Sequence, residues 1–307
     1  MTQQAKHEDG ATPIWMQREE RGSSFWLSIM TRLSLLMGRR CSRIVLYGIA
    51  FYFVVFARKA RQASRIYLSR CLGRSVGWMD CYRHVLAFSS TIHDRVFLLN
   101  DQFDRFQIDY FGTEQLHAEY ENGRGILLLG AHFGSFEVLR AVARKNPRLN
   151  MSMAMYPENA QRINRALAAI NPHAMQDIIS LGTLDAMLAV NRKLDEGALV
   201  GLLADRASGP NQYQALAFLD APAQFPIGAF RLAAMLKRPV YFMAGIYRGG
   251  NRYAVHFERL ENFSSMPAAN RDAVVALLMQ KYVAALERYC REYPYNWFNF
   301  YDFWKQG

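Results

Sequence analysis

Beyond residue 120 the chain carries four short apolar runs, at 126–131, 151–155, 198–203 and 239–246. Each is continuous rather than alternating, the pattern of a strand covered on both faces. Helical stretches separate them, at 136–145, 159–170, 183–196 and 228–237. Strands alternating with helices predict an α/β fold with a mostly parallel central sheet flanked by helices. The run 253–257, after the turn Arg248-Gly249-Gly250-Asn251, is expected as an antiparallel addition. Residues 78–99 read as a helix with Val85, Phe88, Ile92, Val96 and Leu99 on its apolar face. A long helix over about 270–292 closes the domain, with Val274, Leu277, Leu278, Val283 and Leu286 marking its packed stripe.

The first third is patterned differently. Residues 44–57 run without a charge, and blocks of aromatic and aliphatic residues alternate around them with blocks of arginine. A spanning helix needs ~20 apolar residues, so the run is short for a simple crossing. It suits an amphipathic helix lying at a membrane surface, or a marginal span whose arginines snorkel. A buried core helix with solvated basic flanks is the plainer alternative. The downstream flank, Arg58-Lys59-Ala60-Arg61, does not suit a cleaved signal peptide. The expected organisation is a flexible N-terminus at 1–17, a basic membrane anchor at 18–74 and a catalytic body at 75–307.

Charge sharpens this picture. The chain has a formal net charge of +11, and residues 18–74 hold twelve Lys/Arg against two acids, Glu19 and Glu20. Such a segment seeks an anionic partner. Its aromatics are crowded into apolar blocks rather than spaced among polar residues as base-stacking platforms, which favours an anionic lipid surface over nucleic acid. The four cysteines have neither redox nor metal-ligand spacing.

The clearest chemical signal is Gly130-Ala131-His132-Phe133-Gly134-Ser135-Phe136-Glu137, directly after a strongly apolar strand. In α/β sheets, chemistry collects where strands deliver the chain to loops at their carboxyl ends. Positions five apart on a helix are about 140° out of register, but a loop hinged at Gly134 can return the Glu137 carboxylate to the imidazole. Glu137 would then fix the ring tautomer and leave the other nitrogen to take a proton from an attacking hydroxyl. Backbone N–H groups of Gly134 and Ser135, at the following helix start, are candidates to hold an oxyanion. Arg162 and Arg165 could hold a phosphate, or simply form a solvated helix face. Asp205 follows a buried strand as His132 does, which makes it a candidate for the same pocket, with a turn aspartate as the alternative. Arg206 is a candidate to bind an anion, with a pair to Asp205 as the alternative. There is no Gly-x-Ser-x-Gly elbow and no second His or Cys at metal-ligand spacing, so a serine hydrolase and a zinc enzyme are disfavoured.

The octet around His132 resembles the His-x-x-x-x-Asp/Glu motif of glycerolipid-type acyltransferases. More specifically, the chain resembles the bacterial lipid A biosynthesis (late) acyltransferases. Four blocks in order carry this likeness: the His132 octet; Tyr156-Pro157-Glu158-Asn159 before a basic helix; Gly201-Leu202-Leu203-Ala204-Asp205-Arg206; and Phe218-Leu219-Asp220-Ala221-Pro222-Ala223 with Pro226-Ile227-Gly228 and Arg231-Leu232-Ala233. Glu137 replaces a common aspartate, Arg206 a frequent Gln and Asp220 a frequent Gly. The resemblance implies transfer of a fatty acyl group from an acyl thioester, on acyl carrier protein or coenzyme A, to a hydroxyl of a lipid or glycolipid. It implies His132 and Glu137 as the catalytic pair, no cofactor or metal, and a place on the cytoplasmic face of a bacterial inner membrane. The alternative is a non-catalytic membrane-binding or assembly protein on the same fold.

Overall fold

The computed structural model describes residues 23–139, 149–155, 168, 170–171, 178–181, 184–206, 212–263 and 271–305. Three helices open the described chain: α1 (Ser23–Phe56), α2 (Arg58–Leu72) and α3 (Trp78–Leu99). The body follows as β1 (Gln107–Phe111), α4 (Thr113–Glu121), β2 (Ile126–Gly130), β3 (Met151–Met155), β4 (Ile178–Ser180), α5 (Leu184–Asp195) and β5 (Leu199–Leu203). Then come the strands β6 (Tyr213–Phe218) and β7 (Ala221–Pro226), α6 (Gly228–Leu236), β8 (Pro239–Tyr247), β9 (Arg252–Asn262) and α7 (Arg271–Glu292).

Seven of these strands form one sheet in the order β1-β9-β8-β2-β5-β3-β4. Every neighbouring pair is parallel except β8 with β9, the expected antiparallel addition. The α/β fold with a mostly parallel sheet flanked by helices is therefore the one observed. All residues of β2 and all of β8 are buried, as strands covered on both faces must be. The inward stripe of α7 includes Val275, Leu278, Met279, Tyr282, Val283, Leu286 and Tyr289, whereas Leu277 is largely exposed. The separate hairpin β6–β7 turns through Leu219 and Asp220, both at positive φ (50° and 62°). That backbone explains why glycine suits position 220; Asp220 tolerates it and meets Arg291 at 3.0 Å.

The opening helices are fastened to the body. Gly38, at φ 73°, breaks α1, and directly after the kink Arg39 forks onto Asp94 of α3 at 2.7 and 2.8 Å. Tyr253 of β9 donates its hydroxyl to the same carboxylate at 2.7 Å, and Ser42 meets the His93 ring at 2.8 Å. Bidentate, buried and further hydrogen-bonded, this pair fixes the register of α1 on α3. No single described helix is long and apolar enough to cross a membrane; Thr31–Phe56 and Arg58–Leu72 pass such a test only as a pair bent by 93°.

Candidate active site

The chain leaves β2 at Gly130 and β5 at Leu203, and these two residues are register partners on adjacent parallel strands. Two residues past each end stand His132 and Asp205. Equal offsets from aligned strand ends bring them side by side: His132 Nδ1 lies 2.9 Å from Asp205 Oδ1, and the His132 backbone N–H donates to Asp205 Oδ2 at 3.2 Å. The Asp205 side chain is fully buried, whereas that of His132 is 39 % exposed. Burial alone would raise the Asp205 pKa. The His132 ring and backbone N–H and the Arg206 guanidinium, 3.6 Å from Oδ2, outweigh it and hold the carboxyl well below the usual range. The lowered pKa favours the Asp205 anion, and its contact with the ring selects the tautomer with hydrogen on Nδ1. Nε2 is left as an acceptor, with no hydrogen bond among the described residues.

Glu137, expected to orient the ring, does not occupy that place. It lies 3.3 Å from Arg95 Nε of α3, with the carboxylate buried and the arginine partly exposed. The orienting contact falls to Asp205 because neighbouring strand ends converge, whereas Phe136 to Leu139 turn into a helix that carries Glu137 toward α3. The expected oxyanion donors are also engaged elsewhere. The Gly134 N–H donates to the Asn296 carbonyl at 2.8 Å and the Ser135 N–H to the Gly245 carbonyl at 2.6 Å. Gly134 has φ +66°, and a Cβ there would sit 2.0 Å from the Gly245 oxygen. This glycine is required both for its backbone conformation and for close approach to β8. Arg206 is no free anion site either: Nη2 donates to the Phe298 carbonyl at 2.8 Å and the guanidinium lies over the Tyr301 ring. Arg162 and Arg165 lie outside the described residues.

The segment 296–298 braces the loop that carries His132, a role the sequence reading missed. Phe298 N–H donates to the His132 carbonyl at 2.8 Å, and Phe133 pairs with Trp297 as an antiparallel bridge. The Asn296 side chain completes the end of β8, accepting from Tyr247 N at 2.8 Å and donating to Tyr247 O at 3.1 Å. The indole N–H of Trp297 donates to Asp205 Oδ2 at 3.2 Å. Its carbonyl accepts from Nε2 of His84, whose Nδ1 meets Ser64 Oγ of α2, with both contacts at 2.8 Å. A carbonyl only accepts, so Nε2 carries the His84 hydrogen and Nδ1 accepts from the serine.

Burial lowers the His84 pKa from 6.5 to about 4, partly opposed by the contact with the Trp297 carbonyl. Between those values the unfolded chain binds a proton that the native chain refuses. Stability should therefore decline as pH falls from 6.5 toward 4, by up to about 3 kcal/mol. Denaturant unfolding at stepped pH would show this slope, and His84→Gln should flatten it; an equal slope in the variant would assign it to other groups.

The profile of the bacterial lipid A biosynthesis acyltransferases matches residues 17–306, nearly the whole chain. The protein belongs to that family. No curated protein matches it. Membership of the lipid A acyltransferase family makes the protein an acyltransferase by kinship.

Proposed function

We propose that the protein transfers a fatty acyl group from an acyl carrier protein thioester to a hydroxyl of a lipid or glycolipid, at the cytoplasmic face of a bacterial inner membrane. The observation that carries the chemistry is a half-exposed imidazole whose Nδ1 is held by a buried, ionised carboxylate. In the proposed reaction His132 Nε2 takes the proton of the acceptor hydroxyl as its oxygen attacks the thioester carbonyl. Asp205 stabilises the imidazolium so formed. Collapse of the tetrahedral intermediate breaks the carbon–sulfur bond, and the thiolate recovers the proton from the imidazolium. The products are an ester and a free thiol, and no enzyme nucleophile is needed because the acceptor alcohol plays that part.

The membrane part rests on an inverted helix. The buried stripe of α1 is Thr31, Ser34, Arg39, Ser42, Leu46, Ala50 and Val54 among the described residues, much of it small or polar. Its outer side shows Ile44, Tyr47, Phe51, Tyr52, Val55 and Phe56 to solvent. Trp78 and Met79, at the start of α3, extend that apolar area, with Trp78 edge-on to Phe51. Exposed Arg40 stands before it and Arg58 and Lys59 after it. Residues 44–56 would extend ~20 Å, short of the ~30 Å hydrocarbon core, so the helix suits the interface rather than a crossing.

The test is acyl transfer by the full chain from a radiolabelled acyl carrier protein thioester into a total bacterial lipid extract. Wild type should label a lipid band that His132→Ala, still folded by circular dichroism, fails to label. Equal labelling by the variant would remove His132 from the mechanism. No labelling by wild type, with either the carrier-protein or the coenzyme A thioester, would favour a non-catalytic membrane protein.

A further inference from the structure

Trp297 is fully buried, and its ring meets Tyr67 of α2, Phe218 of β6 and Phe303 edge-on. An aromatic residue in such a nest needs no further purpose, yet this one spends its only polar atom on the carboxylate that holds His132. Asp205 Oδ1 faces the imidazole; Oδ2 faces the His132 backbone N–H, the Trp297 indole and Arg206. The indole is the one neutral side-chain donor among these, carried on a rigid ring that the surrounding aromatics cannot let turn. Tyr282 of α7 hydrogen-bonds to the Gly130 carbonyl, and it and Cys290 face Asp205 as neutral groups, since burial raises both pKa values well above their ordinary ones.

We infer that Trp297 is a positioning residue of the acyl-transfer site: its indole N–H fixes the rotation of the Asp205 carboxylate, so that Oδ1 stays in line with His132 Nδ1. This rests on the reading of His132 as general base. Without the indole, Oδ2 keeps the backbone N–H and Arg206, but the carboxylate gains freedom to turn. The His132 tautomer is then less firmly selected, and the negative charge, no longer shared with the indole, is felt more strongly by the imidazolium.

Trp297→Phe keeps an aromatic ring and removes the donor. It should lower kcat about tenfold with KM within about twofold, the size expected for one lost hydrogen bond to a charged group. The acid limb of its pH–rate profile should move to higher pH. Trp304→Phe is the packing control, because Trp304 stacks on Phe218, meets the Trp297 ring edge-on and donates to the Phe218 carbonyl without touching Asp205. It should lower the melting temperature yet keep turnover and profile.

A readout independent of turnover is the 15N-histidine spectrum, with the His132 signals assigned by their loss in His132→Gln. The Nδ1–H proton should move in Trp297→Phe and stay in place in Trp304→Phe. Wild-type kcat, pH profile and Nδ1–H shift in Trp297→Phe would overturn the inference, as would matching losses in both variants. If wild type transfers no acyl group, the proposed function fails, and the Nδ1–H shift alone decides whether Trp297 positions the pair.

Discussion

Asp205→Asn is expected to slow acyl transfer about 10^3- to 10^4-fold while leaving the fold nearly intact, the scale seen when the orienting carboxylate of a His-based site becomes an amide. The volume is unchanged, and the remaining carbonyl oxygen can serve either the His132 backbone N–H or the ring. The charge is lost, however, so an imidazolium has no counterion. An amide NH2 facing Nδ1 would place the ring hydrogen on Nε2, the nitrogen that must accept a proton. Glu137→Gln should behave differently. Glu137 sits against Arg95 on the α3 side of the loop, so its neutralisation should cost about 1–3 kcal/mol of stability and less than tenfold in rate. Initial rates and denaturant unfolding on both variants separate the two carboxylates. A silent Asp205→Asn beside an inactive Glu137→Gln would return the orienting role to Glu137.

The contrast between these carboxylates shows where sequence reasoning reached its limit. The His132 octet was legible because an apolar strand ending in glycine and histidine is a local pattern. So was Asp205 as a residue just beyond a second buried strand. Their partnership was not, because it depends on β2 and β5 being neighbours with Gly130 opposite Leu203. No local pattern sets strand order. The matching offset of two residues appears only with the observed strand ends, Gly130 and Leu203, because the apolar runs of the sequence end at 131 and 203. Glu137 was attractive for the opposite reason: it is near in sequence, and the helix beginning at Phe136 removes it.

The same rule sorts the rest of the fold. The helix at 78–99 emerges with the bounds its periodicity gives, and β8 and β9 form the expected antiparallel pair. In contrast, β1 carries Gln107, Asp109 and an exposed Tyr110 and Phe111, and β4 is three residues long. Neither has enough burial to impose a strand pattern. In the aromatic C-terminal segment Trp297, Phe298 and Phe303 are buried. Its contact with Asp205 spans 92 residues of chain and rests on one indole nitrogen, information that composition does not hold.

The outer face of α1 leads to a second large effect. Phe51 and Phe56 are 53 % and 67 % exposed and pack little against the body, so Phe51→Ser with Phe56→Ser should leave thermal stability nearly unchanged. On a bilayer both side chains would enter the acyl layer. Losing them should cost about 2–3 kcal/mol of transfer free energy, or about 30- to 150-fold in partitioning onto vesicles. Arg58 and Lys59 flank the same face, and Arg58→Gln with Lys59→Gln should cost about 2 kcal/mol on anionic vesicles and almost nothing on neutral ones, an effect that fades with salt. Sedimentation with vesicles of phosphatidylglycerol and phosphatidylethanolamine, beside phosphatidylcholine alone, measures both terms. Loss of binding in the serine pair on both lipids, with salt-sensitive loss in the glutamine pair on the anionic one, fits a helix lying in the interface. Wild-type binding by the serine pair would mean that α1 shows its aromatics to something other than lipid. The catalytic prediction would then stand without the membrane one, since His132 and Asp205 are assembled by the sheet and not by α1.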